Sequence, residues 1–101
     1  MKNTYGYMIK QAPVSMDYCF MSFDFAMKHN WKLSDYVTVY AGKVDAENIN
    51  EALEKLWDIF NVNRPETYFG RSLSVSDVVY LDCKPYYCDS FGWSECPESN
   101  K

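Results

Sequence analysis

The sequence predicts an α+β domain in which two helices pack on one face of a small, mostly antiparallel sheet, in the order β-α-β-α-β-β. Two kinds of pattern favour this class: short runs that alternate apolar and polar residues, and two runs with helical periodicity between them. The 101 residues, 48% of them hydrophobic, fit a single domain spanning residues 1–101. No apolar run approaches the roughly 20 residues of a membrane span, and no secretory signal is visible, so we expect a cytoplasmic protein without membrane association.

The first half of the chain predicts a strand, a helix and a second strand. Residues 5–10 are rich in aromatic and β-branched side chains, which favours a strand. Ser15 or Asp17 can cap a helix that runs to about His29. That helix is apolar on nearly all sides, so it is either buried in the core or presents an aromatic face to a partner. Residues 36–44 alternate valine with threonine and tyrosine, which is typical of a strand.

Residues 48–61 show the clearest pattern, that of an amphipathic helix. Asn48 followed by Glu51 matches a capping box, in which each side chain satisfies a free backbone N–H group. Glu51 and Lys55 form a supportive i,i+4 pair on the polar side. Pro65 ends the helix because the residue before a proline disfavours the α conformation. The apolar side is predicted to consist of Ile49, Leu53, Leu56, Trp57 and Phe60.

The last third of the chain predicts two strands joined by a turn. Residues 77–82 are predicted to form a buried strand, Lys84 and Pro85 the turn, and residues 86–90 the returning strand. Residues 97–101 read as a frayed polar tail. Three alternating serines precede the first of these strands: Ser72, Ser74 and Ser76. They fit either an extended segment with all hydroxyls on one face or a loop whose hydroxyls bind the backbone. The loop is preferred.

Charge is unevenly distributed along the chain. The formal net charge is −4, with +2 on residues 1–43 and −6 on residues 44–101. An acidic half repels phosphate, so we expect no direct nucleic-acid binding. The acids are densest on the second helix and just before it, which makes them the leading candidate for a partner-binding surface, although a solvated helix face is the alternative. These residues are Asp45, Glu47, Glu51, Glu54 and Asp58.

The residue types predict neither a catalytic centre nor a metal site. The four cysteines lack the paired spacing of a zinc site, so we interpret them as reduced thiols and expect no cofactor. The single histidine, His29, is interpreted as a helix cap or a packed ring. We therefore expect a protein that is not an enzyme. The open alternative is a small enzyme built on Cys88 or on aspartates that converge at one sheet edge, namely Asp77, Asp82 and Asp89.

Three motifs, one before the middle of the chain and two in its second half, identify a family resemblance. They are Val-Tyr-Ala-Gly at 39–42, Arg-Pro-Glu-Thr-Tyr-Phe-Gly-Arg-Ser-Leu-Ser-Val-Ser-Asp-Val-Val at 64–79, and Tyr-Tyr-Cys-Asp-Ser-Phe-Gly-Trp at 86–93. Together they resemble the YodL-like domain, most clearly over residues 36–97. The chain departs from the family pattern at Arg64 and Arg71, where the family often has histidines, which further disfavours metal or acid–base chemistry.

The resemblance implies a binding protein from a Gram-positive mobile element. One precedent is a Bacillus member that interferes with the actin-like cell-shape cytoskeleton. The other is a set of small, acidic type II-A anti-CRISPR proteins, which implies that this chain binds a Cas9 nuclease and blocks it by interfering with guide-RNA loading. A binder of another bacterial host protein is the alternative. Beside the acidic residues, the surface that binds the partner is expected to include Tyr68, Phe69, Tyr87, Asp89 and Trp93. The alternative for the aromatic residues is that they belong to the core.

Overall fold

The computed structural model describes residues 2–13, 15–62, 64–68, 70–90 and 92–96, so the predicted tail at 97–101 lies outside the described residues. Within them the chain forms five strands and two α-helices, which confirms the α+β class. A short 3-10 turn at Leu33–Asp35 precedes the second strand. In chain order the elements are β1 (Asn3–Gln11), α1 (Phe23–Met27), β2 (Val37–Ala46), α2 (Ile49–Val62), β3 (Val78–Leu81), β4 (Lys84–Cys88) and β5 (Trp93–Glu95).

The strands form one antiparallel sheet in the order β2-β1-β3-β4-β5. The first strand lies inside the sheet, paired with β2 on one side and β3 on the other, and its register with β2 shifts between Ile9 and Lys10. The short fifth strand was not predicted from the sequence. It forms because a tight turn, closed by the Asp89 N–H donating to the Gly92 carbonyl at 2.9 Å, returns the chain beside β4.

The two helices contact opposite faces of the sheet, which corrects the prediction that they share one face. Successive residues of a strand point to opposite faces. Val79 and Tyr86 belong to the core cluster that α2 covers. Their neighbours Val78 and Tyr87 belong to a second cluster, which includes Ala26 of α1. The sequence did not predict this because a helix that is apolar on nearly all sides has no polar face that would show which side of the sheet it covers.

Helix α1 is much shorter than the sequence predicts, since it does not begin near Ser15 or Asp17. Its N-cap is Ser22, whose hydroxyl oxygen accepts a hydrogen bond from the Phe25 N–H at 3.3 Å. At its end, the His29 ring nitrogen Nδ1 lies 2.8 Å from the Phe25 carbonyl oxygen and the imidazole stacks on the Phe25 ring. The prediction of His29 as a cap and packed ring is therefore confirmed.

Tertiary hydrogen bonds prevent the helix from starting earlier. Phe20 adopts a left-handed φ of 66°, and its N–H donates to the Ser76 hydroxyl oxygen at 2.9 Å. The next carbonyl, that of Met21, accepts a hydrogen bond from the Tyr87 hydroxyl at 2.7 Å. Backbone groups that bind distant side chains in this way are not available for helical hydrogen bonds.

Helix α2 agrees with its sequence pattern. The Asn48 side-chain oxygen accepts a hydrogen bond from the Glu51 N–H at 2.9 Å, as one half of the capping box predicts. The Glu51 carboxylate lies 3.4 Å from the Lys55 ammonium, which confirms the i,i+4 pair. Trp57, assigned to the buried side, is only partly buried. The fully covered residues are Ala52, Leu53, Leu56 and Phe60.

The turn between β3 and β4 lies two positions earlier than predicted. Its central residues are Asp82 and Cys83, both with positive φ, whereas Pro85 lies inside β4 opposite Tyr80. A two-residue turn with two positive φ values matches the twist of paired strands, which favours it over a turn at Pro85. The Asp82 carboxylate also accepts a hydrogen bond from the Gly6 N–H at 3.0 Å, which ties the turn to β1.

A buried polar cluster joins the loop of residues 70–77 to the sheet. Asp77 is completely buried, and its Oδ2 atom accepts hydrogen bonds from the Gln11 side chain at 3.1 Å and the Ser74 N–H at 2.9 Å. Gln11 also binds the Arg71 backbone twice, donating to its carbonyl at 2.9 Å and accepting from its N–H at 3.0 Å. The serine-rich segment is thus a loop that binds backbone, as preferred from the sequence.

Burial dominates the titration of this carboxyl group. Arg71 Nη2 lies 3.5 Å from Asp77 Oδ1, but the Arg71 side chain is about one-third exposed. Burial raises the pKa of Asp77 to about 6, against the lowering effect of the hydrogen bonds from Ser74 and Gln11 and of the Arg71 charge. The folded protein therefore holds this proton more tightly than the unfolded chain does.

Replacing Asn48 with alanine should lower the free energy of unfolding by about 1 kcal/mol, because the Glu51 N–H loses its acceptor. Urea denaturation followed by far-UV circular dichroism measures the change. Asn50→Ala, an exposed asparagine two residues further along the same helix, is the matched control and should be neutral or slightly stabilising. Equal losses in both variants would contradict the capping role.

The stability of the wild type should fall as the pH rises through about 6. The pKa of Asp77 is higher in the folded protein than the ordinary value of 3.8. The neutral carboxyl group therefore contributes its full stabilisation below pH 3.8, and this contribution is lost as the pH rises through about 6. A shift of this size corresponds to roughly 3 kcal/mol. Urea unfolding across this range should show that Asp77→Asn loses the dependence, while the exposed Asp17→Asn keeps it. Parallel profiles for wild type and Asp77→Asn would contradict the assignment.

Candidate protein-binding surface

The predicted acidic residues lie at the end of β2, in the connection to α2 and along α2, and are here called the acidic surface: Asp45, Glu47, Glu51, Glu54 and Asp58. Four of them are exposed and Glu51 is half-buried. The last three follow helical spacing on the side of α2 opposite its buried residues. Lys55 joins the end of β2 to the helix, since its ammonium lies 2.8 Å from the Asp45 carbonyl oxygen and 3.4 Å from the Glu51 carboxylate.

Two charges of this surface, those of Glu54 and Asp58, do not favour the helix that carries them. Glu54 and Asp58 are like charges four residues apart, an arrangement that destabilises a helix by roughly 0.2–0.5 kcal/mol. The last turn of α2 contains no basic residue, so nothing there complements the negative end of the helix dipole. Of the three helical acids, only Glu51 pairs with a lysine in the described part of the chain. Glu54 and Asp58 therefore serve solubility or recognition, and not helix stability.

Two of the predicted aromatic contacts are core residues, which corrects their assignment to a partner-binding surface. Tyr87 is completely buried in the cluster on the α1 side of the sheet. Tyr68 is 8% exposed, packs on Phe60, and donates a hydrogen bond to the Arg71 carbonyl. Both rings fill space that only large side chains can fill in a small domain. The predicted contact Phe69 lies outside the described residues.

The two remaining predicted residues, Asp89 and Trp93, line one groove together with Glu54 of the acidic surface. Glu54 of α2, Asp89 after β4 and Trp93 of β5 line a cavity of about 340 Å³, here called the Trp57–Trp93 groove. Trp57 lines it as well, and sequence reasoning missed this residue by assigning it to the buried helix face. Its place beside Asp58 at the edge of that face was the available signal. The other lining residues are Val75, Cys88, Ser90 and Gly92.

Hydrogen bonds fix the Asp89 carboxylate at the edge of the groove. Its Oδ1 atom accepts from the Phe23 N–H at 3.2 Å and from the Ser90 N–H at 2.8 Å, and its Oδ2 atom accepts from the Ser94 hydroxyl at 2.6 Å. Partial burial alone would raise the pKa of Asp89, but these three bonds together hold it below its ordinary value. Asp89 is therefore a fixed negative charge at neutral pH.

The groove also contains the thiol that the enzyme alternative requires. Burial raises the pKa of Cys88 to about 12, and the negative charges of Asp77, Asp89 and Glu54 act in the same direction. A thiol held in its protonated form is the opposite of an activated nucleophile, which needs a lowered pKa. All four cysteines are free thiols.

The aspartates of the same alternative do not gather at one edge of the sheet. Asp77 precedes β3 and Asp89 follows β4, so both lie at one end of this strand pair. Asp82 lies in the turn at the opposite end. Among the described residues, no group of three or more His, Cys, Asp or Glu side chains could hold a metal ion.

Thiol labelling should separate the cysteines by their environment. Cys83, exposed in the β3–β4 turn, should react rapidly with dithionitrobenzoate, whereas Cys88 and Cys96 should react only after unfolding because both are buried and burial raises the pKa of each to about 12. Mass spectrometry after brief alkylation locates the labelled residue. Cys83→Ser should remove the fast phase. Fast labelling of Cys88 in the folded protein would instead revive the enzyme hypothesis.

Among the described residues, no helix is long and apolar enough to cross a membrane.

The comparisons with known proteins identify a family. No curated protein and no solved structure matches the chain. The sequence model of the YodL-like domain matches residues 5–98, a wider span than the residues 36–97 that carried the resemblance, and it includes the acidic surface and the groove. The chain therefore belongs to the YodL-like domain family.

Proposed function

We propose that this protein inhibits a type II-A Cas9 nuclease by binding it before or during guide-RNA loading. The acidic surface is the observation that carries the proposal. It displays four exposed carboxylates along the chain's longest helix and the segment leading into it. The arrangement of Glu54 and Asp58 does not favour the helix, which agrees with selection for recognition.

Cas9 offers a complementary surface. It holds the guide and its heteroduplex in a positively charged channel and contacts the RNA mainly through its backbone. Carboxylates attract the same lysine and arginine side chains that bind phosphates, so an acidic protein face competes with the guide for them. Such a protein acts stoichiometrically, needs no catalytic centre, and works in the cytoplasm where Cas9 meets its guide.

An order-of-addition DNA-cleavage assay tests this proposal. Added to Cas9 before the guide RNA, the protein should inhibit cleavage, and added after the guide it should have little effect. Because long-range attraction between charges is screened by salt, inhibition should weaken steeply as the ionic strength rises. Inhibition in either order would retain Cas9 as the target but overturn the step. No inhibition across several type II-A orthologues would overturn the proposal and favour another host protein as the partner.

Charge reversal identifies the surface responsible. Glu47→Lys/Asp58→Lys should reduce inhibition at least tenfold, because it replaces attraction by repulsion at two exposed positions of the acidic surface. Asp17→Lys/Glu66→Lys is the matched control: both residues are exposed, lie elsewhere in the chain, and give the same formal net charge of zero. Equal effects of the two double variants would show that net charge, and not this surface, governs inhibition. Denaturation curves of both variants check that folding is retained.

A further inference from the structure

We infer that the Trp57–Trp93 groove binds an arginine side chain of a protein partner. The inference rests on the proposed function, because it assumes that the acidic surface attracts a protein partner and adds a short-range recognition site beside that surface. It deepens that proposal by specifying which basic side chain is recognised and where. Glu54 belongs to both, so the groove continues the acidic surface towards β5.

The charges of the groove select a cation. Its eight described lining residues include two carboxylates, those of Glu54 and Asp89, and no lysine, arginine or histidine. A neutral or anionic group would find no charged partner there, whereas a cation is attracted from two sides.

The indoles favour a guanidinium over an ammonium. Trp57 and Trp93 are each partly exposed and packed against the core, so their positions are held by the interior of the domain. Tryptophan is the strongest aromatic partner for a cation, and a planar guanidinium can stack on an indole while its N–H groups point outwards. An ammonium group lacks that plane and holds its hydration shell more strongly.

The two carboxylates have different roles in this arrangement. The three hydrogen bonds to Asp89 leave it as a fixed charge that need not reorganise on binding. Glu54 is exposed, and within the described residues its carboxylate makes no hydrogen bond or ion pair, so both of its oxygens are available for a two-pronged contact with a guanidinium. The groove has room for about ten water molecules at roughly 30 Å³ each, which is sufficient for a guanidinium and its stem.

A small-molecule titration tests the groove without Cas9. The probe is N-acetyl-arginine amide, added at constant ionic strength to the ¹⁵N-labelled full chain, and its neutral isostere N-acetyl-citrulline amide is the reference. The indole N–H signals of Trp57 and Trp93 should shift in a saturable way with the arginine probe. Trp31 serves as an internal control because it is 3% exposed and lies in the cluster on the other face of the sheet.

Matched variants show which carboxylate is responsible. Glu54→Gln should weaken binding of the arginine probe about threefold to tenfold, by loss of a charged hydrogen-bonding partner. Glu66→Gln removes one exposed charge away from the groove and should leave binding unchanged. Glu54 contributes nothing to the core, so the variant is expected to fold.

Each outcome decides the inference. Shifts of the two indoles that depend on the guanidinium and on Glu54 support it. Equal shifts with citrulline, no shifts up to the solubility of the probe, or equal losses in Glu54→Gln and Glu66→Gln overturn it. Failure of the groove leaves Cas9 inhibition by the acidic surface intact. Conversely, binding of the probe by a protein that does not inhibit Cas9 would retain the arginine site and assign it to a different protein partner.

Discussion

The structure depends on the burial of one carboxyl group. Asp77 is completely buried between β1 and β4, where an unpaired charge would be costly; its Oδ2 atom accepts hydrogen bonds from Gln11 and Ser74, and its Oδ1 atom lies 3.5 Å from Arg71 Nη2. In the sequence, Gln11 lies 66 residues from Asp77, whereas Ser74 lies only three residues from it. The carboxyl group therefore closes the 70–77 loop locally and fastens it to the sheet, at the expense of stability at high pH.

The position of the candidate binding groove follows from this cluster. The Cys88 N–H donates to the Asp77 carbonyl at 2.8 Å, and the Cys88 carbonyl accepts from the Ser76 N–H at 2.9 Å. Fixing Asp77 thus fixes the end of β4 and, one residue later, the Asp89 carboxylate. The same loop holds the Ser76 hydroxyl against the Phe20 N–H, so α1 begins where Asp89 can accept the Phe23 N–H. One buried polar cluster thereby positions Asp89 from two sides, through the end of β4 and through the start of α1.

Local patterns predicted the elements that local interactions decide. The bounds and cap of α2, strand β2 and the loop character of the serines could be inferred because their periodicity, capping and alternation lie within a few residues. The length of α1, the face it covers and the turn at Asp82 could not, since distant partners such as Tyr87 and Gly6 decide them. The acidic surface follows from helical spacing, whereas the groove needs three separate segments. For the same reason, the tyrosines before β3 and in β4 could not be assigned to the core or the surface from sequence.

The acidic surface and the groove divide recognition between two distances. Exposed carboxylates act over about a Debye length and chiefly raise the rate of encounter with a basic partner. A groove with aromatic walls and a preorganised carboxylate acts only at contact, where desolvated aromatic and charged groups dominate the lifetime of a complex. Glu54 takes part in both because the helix that carries the acids also forms one wall of the groove. A domain of 101 residues whose sheet is covered by α2 on one face and α1 on the other has little free surface for binding. Because the acidic surface and the groove both lie along α2, the two faces of the sheet remain available for the core.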